Sequence, residues 1–203
     1  MVADGHSVVW TERSQVSATE SNFALKLRDV VNQTDTRLLA LPGMMLRNPA
    51  WSPDGRHIAF YARPLLQPTW RLYVIPAPQR LGFAERAGDP PGDELLAAAG
   101  PNKAALIAQD VRVEEHFQNV GPSWDPRGDR LWFFSRAEDQ EYYPLRWTTL
   151  DGARRGEVGY PRKLTTGLDL AVNPNMNMRT IAFCTIENLS QDVIVLVLSH
   201  ENE

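Results

Sequence analysis

A ten-residue phrase occurs twice in this chain, as WSPDGRHIAF at 51–60 and as WDPRGDRLWF at 124–133. Both copies place a proline two residues after the tryptophan, a glycine at plus four and a phenylalanine at the end. The proline interrupts a strand ladder because it has no N–H, and the glycine accepts the positive φ of a tight reversal. Each copy therefore predicts a β-hairpin, and the repetition predicts an architecture of similar sheets.

A third, degraded copy begins at Val172, where Pro174 keeps its place and residues 181–183 repeat the apolar ending of 58–60 after a longer turn. Alternating apolar residues predict a further strand after each hairpin, at 71–75, 145–150 and 192–198. A fourth strand is predicted at 162–165, after the turn-rich stretch 151–161. Four antiparallel strands per unit are typical of the blade of a β-propeller.

The N-terminal region fits the same frame but lacks the innermost strand. Residues 8–11, 24–30 and 36–41 correspond to the later strands of a blade, with a turn at 32–35. The sequence thus predicts an all-β propeller of four-stranded antiparallel blades with about four blades visible, the first and last incomplete. Their expected strand numbers are three, four, four and three.

One long insertion separates the first two copies of the phrase. The distance from Trp51 to Trp124 exceeds that from Trp124 to Val172 by about 25 residues, which places an insertion at about 81–117. Alanine-rich runs at 95–99 and 104–108 predict one or two short helices within it. Insertions of this kind are where partners and ligands commonly bind.

The residues at 49–55, PAWSPDG, followed by IAF at 58–60, resemble the WD-like repeat of TolB-type β-propellers, which include the periplasmic component of the Tol-Pal envelope system. The resemblance covers most of the chain except the insertion, and implies one propeller domain over 1–203, which is either a four-bladed propeller or an open part of a larger one. TolB itself has six blades preceded by a smaller α/β domain, and neither that domain nor the remaining blades is visible in this sequence. The resemblance implies a protein-binding scaffold of a bacterial cell envelope.

Composition narrows the classes of partner. With 203 residues and 43% hydrophobic content the chain can form one sizeable core, and its net charge of -4 with scattered basic residues argues against nucleic acid. The apolar run at 193–198 is far shorter than the roughly 20 residues of a membrane span. Residues 1–6 lack the pattern of a signal peptide, so a periplasmic or other extracytoplasmic location requires a removed leader; otherwise the location is cytoplasmic.

No catalytic set emerges from the sequence. A Gly-x-Ser-x-Gly elbow is absent, and His6, His57, His116 and His200 lack metal-ligand spacing. We therefore expect no catalytic, cofactor-binding or metal-binding residue and no enzymatic activity. The alternative that stays open is an accessory domain or subunit of an enzyme or larger complex, with a ligand site in the central channel.

Aromatic residues fall into two groups. Those at equivalent repeat positions are expected to pack between blades: Trp10, Trp51, Phe60, Trp124, Phe133 and Phe183. Those on or near the insertion, together with basic side chains, are the candidate protein-binding residues: Phe83, Arg86, His116, Phe117, Tyr142 and Tyr143. The partners expected are other proteins, and open blade edges also allow a homo-oligomer.

Overall fold

The computed structural model describes residues 6–15, 21–41, 43–78, 105–111, 113, 121–135, 144–157, 180–187 and 190–197. All the regular secondary structure among these residues is β-strand, and neighbouring strands pair antiparallel. The all-β prediction is confirmed.

The strands form four sheets, which we call blades 1 to 4 in chain order. Blade 1 contains β1 (Ser7–Gln15), β2 (Ser21–Asp29) and β3 (Thr34–Ala40). Blade 2 contains β4 (Met44–Trp51), β5 (His57–Pro64), β6 (Trp70–Pro76) and β7 (Ala105–Val111). Blade 3 contains β8 (Ser123–Trp124), β9 (Arg130–Phe134), β10 (Leu145–Thr149) and β11 (Arg155–Glu157). Blade 4 contains β12 (Thr180–Glu187) and β13 (Ser190–Val197). Within each blade, strands that follow one another in the chain are neighbours.

The repeated phrase forms the first hairpin of blades 2 and 3, as predicted. Gly55 and Gly128 have φ of 71° and 76°, the left-handed conformation that glycine adopts without steric cost. The two reversals close in the same way, because the backbone N–H of Ser52 donates to His57 O at 2.9 Å and that of Asp125 to Arg130 O at 3.0 Å. The shared proline and glycine positions thus give two turns with the same closing backbone hydrogen bond.

The helix prediction for 104–108 is wrong. Residues 105–108 begin β7, which pairs with β6 as the fourth strand of blade 2 and interrupts the region predicted as an insertion. Alanine favours a helix only weakly, and the ladder offered by β6 outweighs that preference. The other alanine-rich run, 95–99, lies outside the described residues.

The fourth strand of blade 3 comes earlier in the chain than predicted. Asp151 accepts hydrogen bonds from Thr149 Oγ1 at 2.6 Å and from Ala153 N at 3.0 Å, and Gly152 has a φ of 68°. This tight turn returns the chain at once, so β11 pairs with β10 within the stretch predicted to be turns. Residues 162–165, where the strand was expected, lie outside the described residues.

The packing of β5 shows that the blades stack face to face. Its residues Ile58, Phe60 and Ala62 pack in a cluster with the apolar residues of β2 and β3, whereas Ala59 and Tyr61 pack in a second cluster with those of β8 and β9. Successive side chains of a strand point to opposite faces, so blade 2 is covered by blade 1 on one side and by blade 3 on the other. Stacking of this kind is what a propeller requires.

The predicted core positions are largely confirmed. Trp51, Phe60, Trp124 and Phe133 are buried. Trp10 is only partly buried, because it lies on the face of blade 1 that points away from blade 2. The side chain of Phe183 lies outside the described part of the structure.

Candidate functional site

The six predicted partner-binding residues, Phe83, Arg86, His116, Phe117, Tyr142 and Tyr143, lie outside the described residues, so their role stays a prediction. The order of the strands nevertheless shows that these residues belong to connections at opposite ends of the blades. The β6–β7 connection leaves its blade at the end that bears the turns of the repeated phrase, whereas the β7–β8 and β9–β10 connections leave at the opposite end. The set therefore represents two candidate surfaces.

The turn of blade 2 brings together a serine, an aspartate and a histidine. Ser52 is fully buried, and its Oγ accepts a hydrogen bond from the backbone N–H of His57 at 2.9 Å and donates to Asp54 Oδ1 at 2.5 Å. Partial burial opposes ionisation of Asp54, but the hydrogen bonds from Ser52 and from the Arg56 N–H hold the pKa of this carboxyl below its ordinary value. The charges of His57 and Arg56 act in the same direction.

This arrangement does not form a nucleophile. Ser52 meets His57 through the backbone N–H, whereas the imidazole ring stacks on Trp124 with centroids 6.3 Å apart. An activated serine requires a ring nitrogen within hydrogen-bond reach of its hydroxyl and access to substrate. The buried Ser52 hydroxyl instead closes the hairpin, so these residues stabilise the turn.

Asp125 takes the place of Ser52 in the turn of blade 3. It is fully buried, and its Oδ1 accepts a hydrogen bond from the Asp129 N–H at 3.1 Å. Oδ2 is also buried and has no hydrogen-bond partner among the described residues. Burial, followed by the neighbouring Asp129 carboxyl, raises the pKa of Asp125 to about 6, although the backbone N–H groups of Arg130 and Asp129 act in the opposite direction. One copy of the phrase thus carries a titrating carboxyl where the other carries a neutral hydroxyl.

The seam between blades 2 and 3 is joined by an indole hydrogen bond. Trp124 Nε1 donates to the backbone carbonyl of Ala50 at 3.0 Å. That carbonyl lies at a bulge in β4, where the register shifts between Arg47 and Ala50 and Asn48 has a φ of 51°. Gly121 lies on the same bulge, since a Cβ added there would be 2.9 Å from Asn48 O. The inner strands of the two blades are therefore fixed to each other.

The seam between blades 1 and 2 lacks the equivalent bond. Trp51 occupies the position of Trp124, but its buried Nε1 has no partner among the described residues. Among the described strands β1 pairs with β2 alone, and none of them takes the place that the inner strand β4 has in blade 2. The two seams of blade 2 therefore differ in the hydrogen bonding of their tryptophans.

The fold is that of a β-propeller. Prolyl oligopeptidase B from Galerina marginata is similar at a TM-score of 0.55 and 10% identity, with 96% of this chain and 25% of that chain covered. The β-propeller domain of the Trilobed protease from Pyrococcus furiosus is similar at a TM-score of 0.52 and 13% identity, over 95% of this chain and 51% of the other. A protein from Agrobacterium tumefaciens assigned as TolB gives a TM-score of 0.44 and 17% identity, over 77% and 46%.

At these identities the similarity concerns the fold, and the chain spans about half or less of the length of these three proteins. No protein-family model matches this chain, and no curated protein sequence matches it either. The propeller prediction is therefore supported, whereas membership of the TolB-type family stays a prediction.

Within the described ranges, no group of three or more His, Cys, Asp or Glu side chains could hold a metal ion. In the same part of the chain, no helix has the length and apolar character needed to cross a bilayer.

Sequence reasoning missed that equivalent positions in the two copies of the repeated phrase have different roles. Ser52 and Asp125 align, as do Trp51 and Trp124, yet each pair differs in its hydrogen bonds. The serine-to-aspartate difference was a visible signal, because both residue types can bond the backbone of a turn but only one carries a charge. The indole difference had no local signal, since it depends on which strand lies opposite.

The two tryptophans allow a matched prediction. Trp124→Phe is expected to lower the free energy of unfolding by about 1–3 kcal/mol more than Trp51→Phe, because it leaves the Ala50 carbonyl without its donor. Both side chains are equally buried, so the loss of indole volume is closely matched between the variants. Urea denaturation of both variants measures the difference. Equal losses would contradict the assigned hydrogen bond.

Proposed function

We propose that this chain is a non-enzymatic propeller-type binding module that holds a protein partner in a bacterial cell envelope, in the periplasm or otherwise outside the cytoplasm once a leader is removed. The observation that carries the proposal is that the polar residues of the repeated turns serve to stabilise those turns. Ser52 and Asp125 are buried and bonded within their own hairpins, and the faces between blades 1, 2 and 3 are filled by apolar side chains. Loops and strand edges are left for recognition.

Loops on a rigid scaffold are the usual place for recognition. The β6–β7, β7–β8 and β9–β10 connections are the long ones in blades 2 and 3, and they carry the six aromatic and basic candidates. Tyrosine, tryptophan and arginine are the residues that most often dominate binding energy at protein interfaces. The blades supply the scaffold that a presented loop needs.

Replacing Phe83 and Phe117 together by alanine is expected to reduce capture of the partner by about tenfold or more, because interface aromatics concentrate binding energy. The measurement is a pull-down from a bacterial envelope fraction with the tagged chain, together with thermal unfolding of the variant. Val31→Ala, at an exposed site in blade 1, is the control and should capture as the parent does. Undiminished capture by a folded double variant contradicts this surface.

The two single variants show which end of the blades holds the partner. Phe83 belongs to the β6–β7 connection and Phe117 to the β7–β8 connection, which leave blade 2 at opposite ends. If the partner contacts only one end of the blades, only one of the two single variants, Phe83→Ala or Phe117→Ala, should weaken its capture.

The second candidate is a non-catalytic propeller domain or subunit of an enzyme, with a ligand site in the central channel. It draws support from the lengths of the similar structures, because the chain covers only 25% of a prolyl oligopeptidase and 51% of the propeller domain of a protease. The discriminating observation is the gene context. A hydrolase or lyase encoded in the same reading frame or directly beside it favours this candidate, whereas an envelope lipoprotein or secretion component favours the binding module.

A further inference from the structure

The turn of blade 3 contains a buried carboxyl group of which one oxygen lacks a donor. Asp125 has no exposed surface, and its Oδ1 accepts the Asp129 N–H at 3.1 Å. Oδ2 is buried without a hydrogen-bond partner among the described residues. The neighbouring side chain is the Asp129 carboxyl, which cannot donate a hydrogen bond when it is ionised. The two carboxyl groups can bond to each other only if one of them carries a proton.

The equivalent turn of blade 2 is closed by a hydroxyl group instead. Ser52 Oγ accepts the His57 N–H and donates to Asp54 Oδ1. A serine hydroxyl keeps its proton throughout the ordinary pH range, so this donor is always present. The donor in the turn of blade 3 is a carboxyl proton, which passes to solvent when the pH rises.

The two turns are in direct contact with each other. A Cβ added at Gly128 would lie 3.5 Å from Asp54 Cγ and 3.5 Å from Pro53 Cδ. The Trp124 ring of blade 3 also stacks on the His57 ring of blade 2, with centroids 6.3 Å apart. The turn of blade 3 therefore cannot change its shape without altering its contact with the turn of blade 2.

The charges near Asp125 do not compensate a negative charge on it. The charged and titratable side chains of the two turns, apart from Asp125 itself, are Asp54, Arg56, His57, Arg127, Asp129 and Arg130. The Arg130 guanidinium lies over the Trp147 ring at 4.7 Å, and the largely exposed Arg56 is 3.8 Å from Asp54. The His57 charge acts on Asp54, and Arg127 is exposed. The backbone N–H groups of Asp129 and Arg130 favour the charged form of Asp125, but burial and the Asp129 carboxyl outweigh them.

Asp125 therefore changes its charge at a pH where the other acid in the contact does not. Its pKa is raised to about 6, whereas the pKa of Asp54 is held below its ordinary value, so Asp54 is already ionised there. Below pH 6 the Asp125 hydroxyl donates to the Asp129 carboxylate. Above pH 6 two like charges face each other and one of them is buried. A turn that opens and lets water reach Oδ2 then becomes relatively more favourable.

We propose that Asp125 and Asp129 share one proton, which holds the turn of blade 3 closed against the turn of blade 2, so that this contact opens as the pH rises. The switch lies next to one of the two candidate surfaces. Ala77, the first residue of the β6–β7 connection, donates through its backbone N–H to Arg56 O at 2.7 Å. That connection carries Phe83. The inference does not depend on the identity of the partner.

The experiment compares two equivalent amides in the unmodified chain. The Gly128 N–H donates to Asp125 O at 3.0 Å, and the Gly55 N–H donates to Ser52 O at 2.9 Å. Hydrogen exchange followed by NMR is measured for both from pH 5 to pH 8, and each rate is divided by the rate of an unstructured peptide at the same pH. The corrected rate of Gly128 should rise about tenfold, as a pKa raised from 3.8 to about 6 requires, while that of Gly55 stays constant within about twofold.

Two variants assign the effect to the carboxyl pair. Asp125→Asn keeps an acceptor for the Asp129 N–H but cannot lose a proton, so its Gly128 amide should show no rise with pH beyond that of Gly55. Asp129→Asn replaces the neighbouring charge with an amide that can donate to Oδ2, so Gly128 should exchange more slowly than in the parent at pH 8. Both variants retain His57, so a rise that they share with the parent would belong to that residue.

Two results would overturn the inference. The corrected rates of Gly128 and Gly55 could change in parallel from pH 5 to pH 8, which would mean that the two turns respond to pH alike. The rise at Gly128 could also persist in Asp125→Asn, which would place the titrating group elsewhere. If a variant does not fold, the comparison of the two glycines in the parent still decides, because it needs no substitution.

Discussion

Leu72→Ala is expected to lower the free energy of unfolding by about 2–5 kcal/mol, the largest single effect that the structure indicates. Leu72 lies on β6, has no exposed surface and packs in the cluster between blades 2 and 3 with Trp124 and Leu131. Removing its side chain leaves a cavity between two sheets that are tied together elsewhere and so have little freedom to close it. Chemical denaturation measures the loss.

The chain offers a control with the same substitution. Leu66 lies in the connection between β5 and β6, close to Leu72 in sequence, and is 98% exposed. Leu66→Ala is expected to change the free energy of unfolding by less than about 0.5 kcal/mol, because it alters no packed contact. Similar losses for the two variants would contradict the placement of Leu72 between blades.

Asp125→Asn is expected to stabilise the chain by on the order of 2–3 kcal/mol at pH 8 and by much less at pH 4. The folded-state pKa of Asp125 is raised to about 6 from its ordinary value of 3.8, mainly by burial. A raised acid favours the folded state in its protonated form, so its contribution is present below the unfolded pKa and is lost as pH rises through 6. Asparagine keeps the Oδ1 acceptor for the Asp129 N–H but carries no charge.

The measurement is the difference in the free energy of unfolding between the parent and Asp125→Asn from pH 4 to pH 8, which cancels the titration of the other acids. Asp129→Asn is the control and should move the midpoint of this difference towards lower pH, since Asp129 contributes to the raised pKa. Asp125→Ser, which copies Ser52 from the sibling turn, should remove the same pH dependence. A difference that stays constant across the range would show that Asp125 is not buried as a titrating acid.

The sequence was sufficient for the parts of the fold that local chemistry determines. Pro53 and Gly55 specify a reversal by themselves, so the hairpins and the strands that flank them could be located from the sequence. The failures lie where the outcome depends on a distant partner. β7 was taken for a helix because the ladder that recruits it is more than 25 residues away in the chain, on Trp70–Pro76.

The candidate site was less accessible to sequence reasoning than the fold. Trp51 and Trp124 look identical in the repeat, and only the strand opposite each indole decides whether its N–H is satisfied. The aromatic surface predicted from composition, around Phe83 and Phe117, rests on residue type alone. Residue type indicates what a surface can bind, whereas the strand order indicates where a missing contact lies.

The double coverage of β5 also bears on how the chain opens and re-forms. Blade 2 is held from both sides, whereas blade 1 is held by blade 2 alone within the described residues, so local opening should cost less free energy in β1 to β3 than in β4 to β6. Of these two blades, blade 1 is then expected to open before blade 2. A protease that samples the native state should therefore cut within the first blade before it reaches the second.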